Sequence, residues 1–189
     1  LCFKFSGCAD FTAKEGNSQQ IDTLSIIDDG KNVLMNVNDC PFELAQSTFN
    51  DIKKQYEKIN VLLTGYGGAG PYPQCFENLN SEEKITAAQS KEKQFLNQAI
   101  KYIDEIKPDY YMPFAGTYTL TGKLSNLQSL RGVSSIDNAH NFFENYYSSK
   151  NLSNNIRPLK LNAGSTFDLN IKEYCLLYTS DAADDTRSV

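Results

Sequence analysis

Apolar and polar positions fall into two rhythms that alternate along the first 114 residues. Residues 3–6 and 21–27 (IDTLSII) are predicted as strands, separated by a polar loop over 13–20. Asp28-Asp29-Gly30-Lys31 supplies a hairpin turn with glycine where φ must be positive, and residues 32–37 (NVLMNV) return as a third strand. From Phe42 the period becomes helical. Ala45, Phe49, Ile52, Tyr56 and Ile59 recur on one face with Lys53, Lys54, Glu57 and Lys58 between them, and Pro41 stands at the mouth of this helix. Residues 60–64 (NVLLT) are continuously apolar, as a buried strand closing a β-α-β unit would be. After a Gly/Pro loop over 65–74, Asn80-Ser81-Glu82-Glu83 starts a long amphipathic helix that carries Ile85, Ala88, Phe95, Leu96, Ala99, Ile100, Ile103 and Ile106. Pro108 ends it. Residues 110–114 (YYMPF) form the next strand, weaker helical patterns lie near 124–130 and 137–147, and 148–155 is polar and loop-like. The alternation of strand and helix predicts an α/β protein.

Three of these strands end in small or polar residues beside a helix: Val37/Asn38, Thr64/Gly65 and Phe114/Ala115. Neighbouring strands would bring the three ends to one rim, where α/β proteins place ligands. The first end, NVNDCP, is the richest in chemistry. Asp39 there has two readings: a carboxylate that holds a divalent metal, or a side chain that caps the following helix. Gly65-Tyr66-Gly67-Gly68-Ala69-Gly70 satisfies G-x-G-x-x-G, but Pro71 and Pro73 follow where a dinucleotide fingerprint needs a helix N-terminus. A loop that approaches a ligand and a tight crossover with no ligand both fit it.

Composition removes several alternatives. The chain has 189 residues, 40% hydrophobic and 22% charged, enough for one sizeable core. A formal charge of -5 without a Lys/Arg run argues against nucleic acid as partner. The sequence has no apolar run long enough to span a bilayer, so no membrane partner is expected and the location is read as cytoplasmic. The five cysteines (Cys2, Cys8, Cys40, Cys75, Cys175) lack C-x-x-C spacing and read as free thiols. His140 is the single histidine, within helix-like DNAHNFFENYY, so neither Cys40 nor Cys75 has an evident imidazole base.

The order of motifs, a hairpin, NVNDCP, a helix, VLLTGYGGAGPYPQCF, a long helix and DYYMPFAG, resembles the second half of a metallo-β-lactamase-fold domain. It is most similar to the branch holding CMP-N-acetylneuraminate hydroxylase-like and ascorbate-lactonase-like proteins. The resemblance implies that residues 1–150 are the C-terminal half of a four-layer αββα sandwich, with 151–174 an extension. It implies a metal-dependent hydrolase-like or hydroxylase-like activity with a divalent metal, zinc or iron, in the full-length protein, with Asp39 as ligand and Asn38, Tyr72, Gln74 and Cys75 lining a pocket for a small anionic or nucleotide-sugar substrate. The family's H-x-H-x-D-H cluster is absent, so a missing N-terminal half of the same domain is the expected partner. Ala115 stands where the family places an imidazole. With about four ligands needed by zinc and one supplied here, the chain alone is expected to bind metal weakly or not at all. A hydroxylase would also need a Rieske module, and none is visible. The alternative is a metal-free degenerate sandwich that binds a sugar or nucleotide. Residues 175–189 (CLLYTSDAAD onward) resemble the conceptual translation of a sequencing adapter and are set aside from the fold.

Overall fold

In the computed structural model the described residues are 2–9, 20–37, 40–150, 156–161 and 164–175. Six strands lie in one mixed sheet in chain order: β1 (Cys2–Ala9), β2 (Gln20–Asp28), β3 (Val33–Asn36), β4 (Val61–Gly65), β5 (Tyr110–Phe114) and β6 (Arg157–Pro158). The first three are antiparallel, and β3 to β6 run parallel. The parallel steps are bridged by α1 (Phe42–Gln55), α2 (Ser81–Ile106) and α3 (Ile136–Ser149). A 3-10 helix, Gly122–Leu130, precedes α3. The fold is therefore mixed α/β. A second unit, Leu159–Val189, holds a separate hairpin, β7 (Thr166–Asp168) with β8 (Glu173–Cys175), whose turn is tied by Asp168 accepting from the Asn170 N–H at 2.8 Å.

Crossovers that always advance in one direction along a sheet lay every helix on the same face. The core follows this rule. Ile26, Met35, Leu62 and Tyr111 are successive register partners across β2 to β5, and all are buried in one cluster with Phe49 of α1, Ile103 of α2 and Phe143 of α3. Side chains alternate along a strand, so the flanking rows point to the other face. One is Ile27-Leu34-Val61-Tyr110 and the next Ser25-Asn36-Leu63-Met112. Ile27, Leu34, Leu63 and Met112 are half-buried there, while Val61 and Tyr110 are buried. Within this unit no described helix packs on that second face.

Local chemistry sets the element ends. α2 opens on a reciprocal cap, with Asn80 Oδ1 accepting from the Glu82 and Glu83 N–H groups at 3.0 Å and Glu83 Oε2 accepting from the Asn80 N–H at 2.8 Å. α1 stops at Gln55, short of Ile59, because the chain must enter β4. Asn60 governs that entry: its Oδ1 accepts from the Val33 N–H at 2.8 Å and its Nδ2 donates to Asp109 at 3.2 Å, which aligns the starts of β3, β4 and β5. The segment near Leu124 is 3-10 rather than α-helical, and none of its residues is buried. No described helix is long and apolar enough to cross a membrane.

Candidate functional site

The carboxyl ends of β3, β4 and β5 share one edge of the sheet, because these strands are parallel neighbours. At the first end, the Val37 N–H donates to Leu63 O at 3.1 Å and the Cys40 N–H to Val37 O at 3.0 Å. Tyr102 of α2 reaches across the core and donates its hydroxyl to Cys40 O at 2.7 Å. Its ring packs edge-on against Phe42 and Phe49, with centroids 5.2 and 5.5 Å away. Cys40 itself is wholly buried. Asn38 and Asp39 lie outside the described residues. The anchors on either side of them, Val37 and Cys40, are fixed to β4 and α2.

The glycine loop after β4 is shaped by packing. A Cβ on Gly67 would sit 2.2 Å from Gly116 O, one on Gly68 2.3 Å from the Phe95 ring, and one on Gly116 2.3 Å from the Tyr66 ring. Gly70, in contrast, faces open space. Tyr66 is buried, and that burial pushes its phenol above the ordinary range.

Of the expected lining residues, Gln74 turns into its own loop. It is 1% exposed, with Nε2 donating to Gly70 O at 2.5 Å and lying 3.4 Å from the Tyr118 hydroxyl, while Oε1 is buried without a partner. Cys75 is exposed, its N–H bonded to Pro71 O at 2.8 Å. Tyr72 and Phe76 are 44% and 40% exposed and stack perpendicular at 5.1 Å. At the end of β5, Ala115 is exposed and takes a left-handed backbone with φ 49°.

Three residues that periodicity and motif did not single out join these loops. Lys91 of α2 donates to Tyr72 O at 2.9 Å and Arg131 O at 3.1 Å. Arg131 stacks its guanidinium over the Tyr118 ring at 5.4 Å, and the Tyr118 hydroxyl donates to Gly70 O at 3.4 Å. Lys91 lies 19 residues from Tyr72 and 40 from Arg131, and Tyr118 lies 48 from Gly70, beyond the reach of any local signal. His140 is buried on α3 among core residues, as its aromatic neighbours suggest.

The described residues do not by themselves fit a metal. Among them no group of three His, Cys, Asp or Glu side chains could hold an ion. Cys40 is buried and Cys75 exposed. A cavity of about 380 Å³ lies at the opposite edge, lined by Tyr56, Lys58, Ile59 and Glu105. A smaller one of about 210 Å³ lies between α2 and the 3-10 segment, beside Arg131.

No protein-family model matches the chain, and no curated protein matches it. Among solved structures, CmlA, a diiron beta-hydroxylase from Streptomyces venezuelae, is similar over 74% of this chain and 27% of its own, at 11% identity and TM-score 0.38. A mutant of CmlA beta-hydroxylase is similar over 73% of this chain and 26% of its own, at 12% identity and TM-score 0.39. The chain thus spans about a quarter of the length of these proteins. Likenesses this shallow carry no argument about fold family, activity or cofactor.

Proposed function

We propose that this chain is one half of a metallo-β-lactamase-type αββα sandwich, similar to CMP-N-acetylneuraminate hydroxylase-like proteins, and that the longer protein acts on a small anionic substrate. The observation that carries the reading is the one-sided sheet. The three described α-helices pack into one core on one face, while on the other Ile27, Leu34, Leu63 and Met112 are half-buried, Val61 and Tyr110 are buried, and none of the six belongs to that core. A second sheet packs on such a face at a spacing of about 10 Å and removes it from water. The parallel strand ends at one edge supply the second support, since loops there can converge on a ligand.

In this reading a divalent metal, zinc or iron, belongs to the longer protein, and this chain contributes Asp39. Bound there, such a metal would activate water or oxygen. The residues of this chain supply the frame: Tyr102 and α2 hold the Cys40 turn, and the packed glycines hold the loop after β4. Metal analysis of the longer protein, wild type against Asp39→Ala, tests the assignment. A clear loss of metal in the variant is expected; equal zinc and iron content in both would overturn the role given to Asp39.

A metal-free module that binds a sugar or nucleotide is the second reading. It is favoured by Ala115, which offers no ligand atom at the end of β5, and by the burial of His140, the single histidine, within α3. Equal metal content in the two proteins, with retained ligand binding, would support it.

A further inference from the structure

Among the described residues five lysines make ion pairs with Asp or Glu, yet Lys91 and Arg131, the two cations joined to the glycine loop, do not. Arg131 is held in place by one bond and one ring. Its Nε donates to Gln128 O at 2.7 Å and its guanidinium lies over Tyr118 at 5.4 Å. These contacts leave both Nη groups without a hydrogen bond or ion pair among the described residues. Lys91 donates to two carbonyls, one of them Arg131's own, and has no carboxylate of the described residues within 4.0 Å. Burial holds its pKa below the ordinary lysine value. Two partly buried positive charges are thus fixed on one loop junction in a chain of net charge -5. The cavity of about 210 Å³ beside Arg131 is walled by Gln128, Ser129, Gln89 and Glu92 together with the apolar Ile85 and Val133, and Lys91 stands outside that wall. Arg131 is joined to the loop after β4 through Tyr118, Gly70 and Gln74, whose Oε1 is buried and unpartnered.

We propose that the Arg131 guanidinium, stacked on Tyr118 beside Lys91, is an oxyanion-binding site for the carboxylate or phosphate end of a small ligand. An arginine already held by a backbone carbonyl and an aromatic ring has lost part of its side-chain freedom, and its free donors form a fork that matches two oxygens of a carboxylate or phosphate. Glu92, on the same cavity wall, limits the site to anions of low charge. That this anion is the substrate's own group rests on the function proposed above; binding of the anion does not.

The test is an NMR titration of the chain with inorganic phosphate and with acetate at fixed ionic strength, with thermal melts as a check on folding. Saturable binding of at least one anion is expected, with shifts centred on residues 128–132. Whichever anion saturates identifies the ligand end as phosphate or carboxylate. Arg131→Gln should weaken binding at least tenfold, and Arg131→Lys should also weaken it because the fork is lost. Glu92→Gln, which leaves the stack untouched, should strengthen it several-fold. No saturable binding, equal binding by wild type and Arg131→Gln, or weaker binding by Glu92→Gln would each overturn the proposal. A positive titration together with a negative Asp39→Ala metal test would leave the anion site standing and remove the hydrolase or hydroxylase reading.

Discussion

Lys107 and Ala115 are non-glycine residues in left-handed backbone, with φ of 52° and 49°. That conformation brings Cβ close to the following carbonyl and costs roughly 1–2 kcal/mol. Lys107 ends α2, the position where glycine is usual. Lys107→Gly and Ala115→Gly should therefore each stabilise the chain by about 1 kcal/mol, part of the relief being offset by the greater freedom of unfolded glycine. A urea midpoint that falls in either variant would contradict this. Gly67→Ala should act in the opposite sense, costing about 3 kcal/mol, because the new methyl meets the Gly116 backbone at 2.2 Å and a backbone cannot turn aside as a side chain does. A cost below about 0.5 kcal/mol in the same measurement would show that the loop is free to move. The glycines were legible as a special loop, but their reason was not. G-x-G-x-x-G reads as space left for a ligand, whereas Gly67 and Gly68 leave space for Gly116 and Phe95, which lie far along the chain.

At the scale of elements, α2 and α3 are joined by a clasp. Asp104 accepts from the Tyr146 hydroxyl at 2.8 Å and from Tyr147 at 3.1 Å, with Lys150 Nζ 3.6 Å from the same carboxylate. Burial, followed by the Asp104 charge, pushes the Tyr147 phenol well above its ordinary 10.0, and burial followed by Glu144 does the same to Tyr111. The folded chain thus keeps these protons longer than the unfolded one. Their contribution to stability is complete below pH about 10 and is lost as pH rises from there toward the raised values. Lys91 works with the opposite sign and at lower pH: its pKa is lowered by burial, so the unfolded chain holds that proton longer and stability gains as pH climbs toward the ordinary lysine value of 10.5, where the gain is complete. Tyr147→Phe should therefore flatten the alkaline fall in stability, at the loss of about 1 kcal/mol near neutral pH from the missing bond to Asp104. Urea melts between about pH 8 and 11 read both effects; an unchanged alkaline slope would show that Tyr147 does not carry it. The long elements were legible because they carry redundant signals. α2 has a capping box, a sustained apolar face and Pro108 beyond its end. β6, β7 and β8 have two or three residues each, too few for a period of two to register. The end of α1 was overrun because Tyr56 and Ile59 continue its apolar pattern for a different purpose, burial on the way into β4.

For the whole molecule, the decisive feature is that a single sheet has one finished face and one apolar face on which no described helix packs. The order of strands and helices was readable from the sequence, and with it the convergence of strand ends at one edge. The partners that stabilise that edge were not, because Tyr102 to Cys40, Lys91 to Tyr72 and Tyr118 to Gly70 each join residues brought together only by the fold. Asp39, the residue on which the proposed metal chemistry turns, lies outside the described residues, whereas the anchors at Val37 and Cys40 do not.

The two faces can be compared at adjacent positions on β4. Leu62 is fully buried against the helices, and Leu63 is half-buried on the other side. Equilibrium unfolding of Leu62→Lys and Leu63→Lys in this chain measures the difference directly. An unpaired charge on the helix face should cost roughly 3–5 kcal/mol, whereas on a face still in contact with water it should cost no more than about 1 kcal/mol. That gap is the result expected of half a sandwich. Equal, large losses in both variants would mean that the second face is already sealed, and the reading of this chain as one layer pair awaiting another would fail.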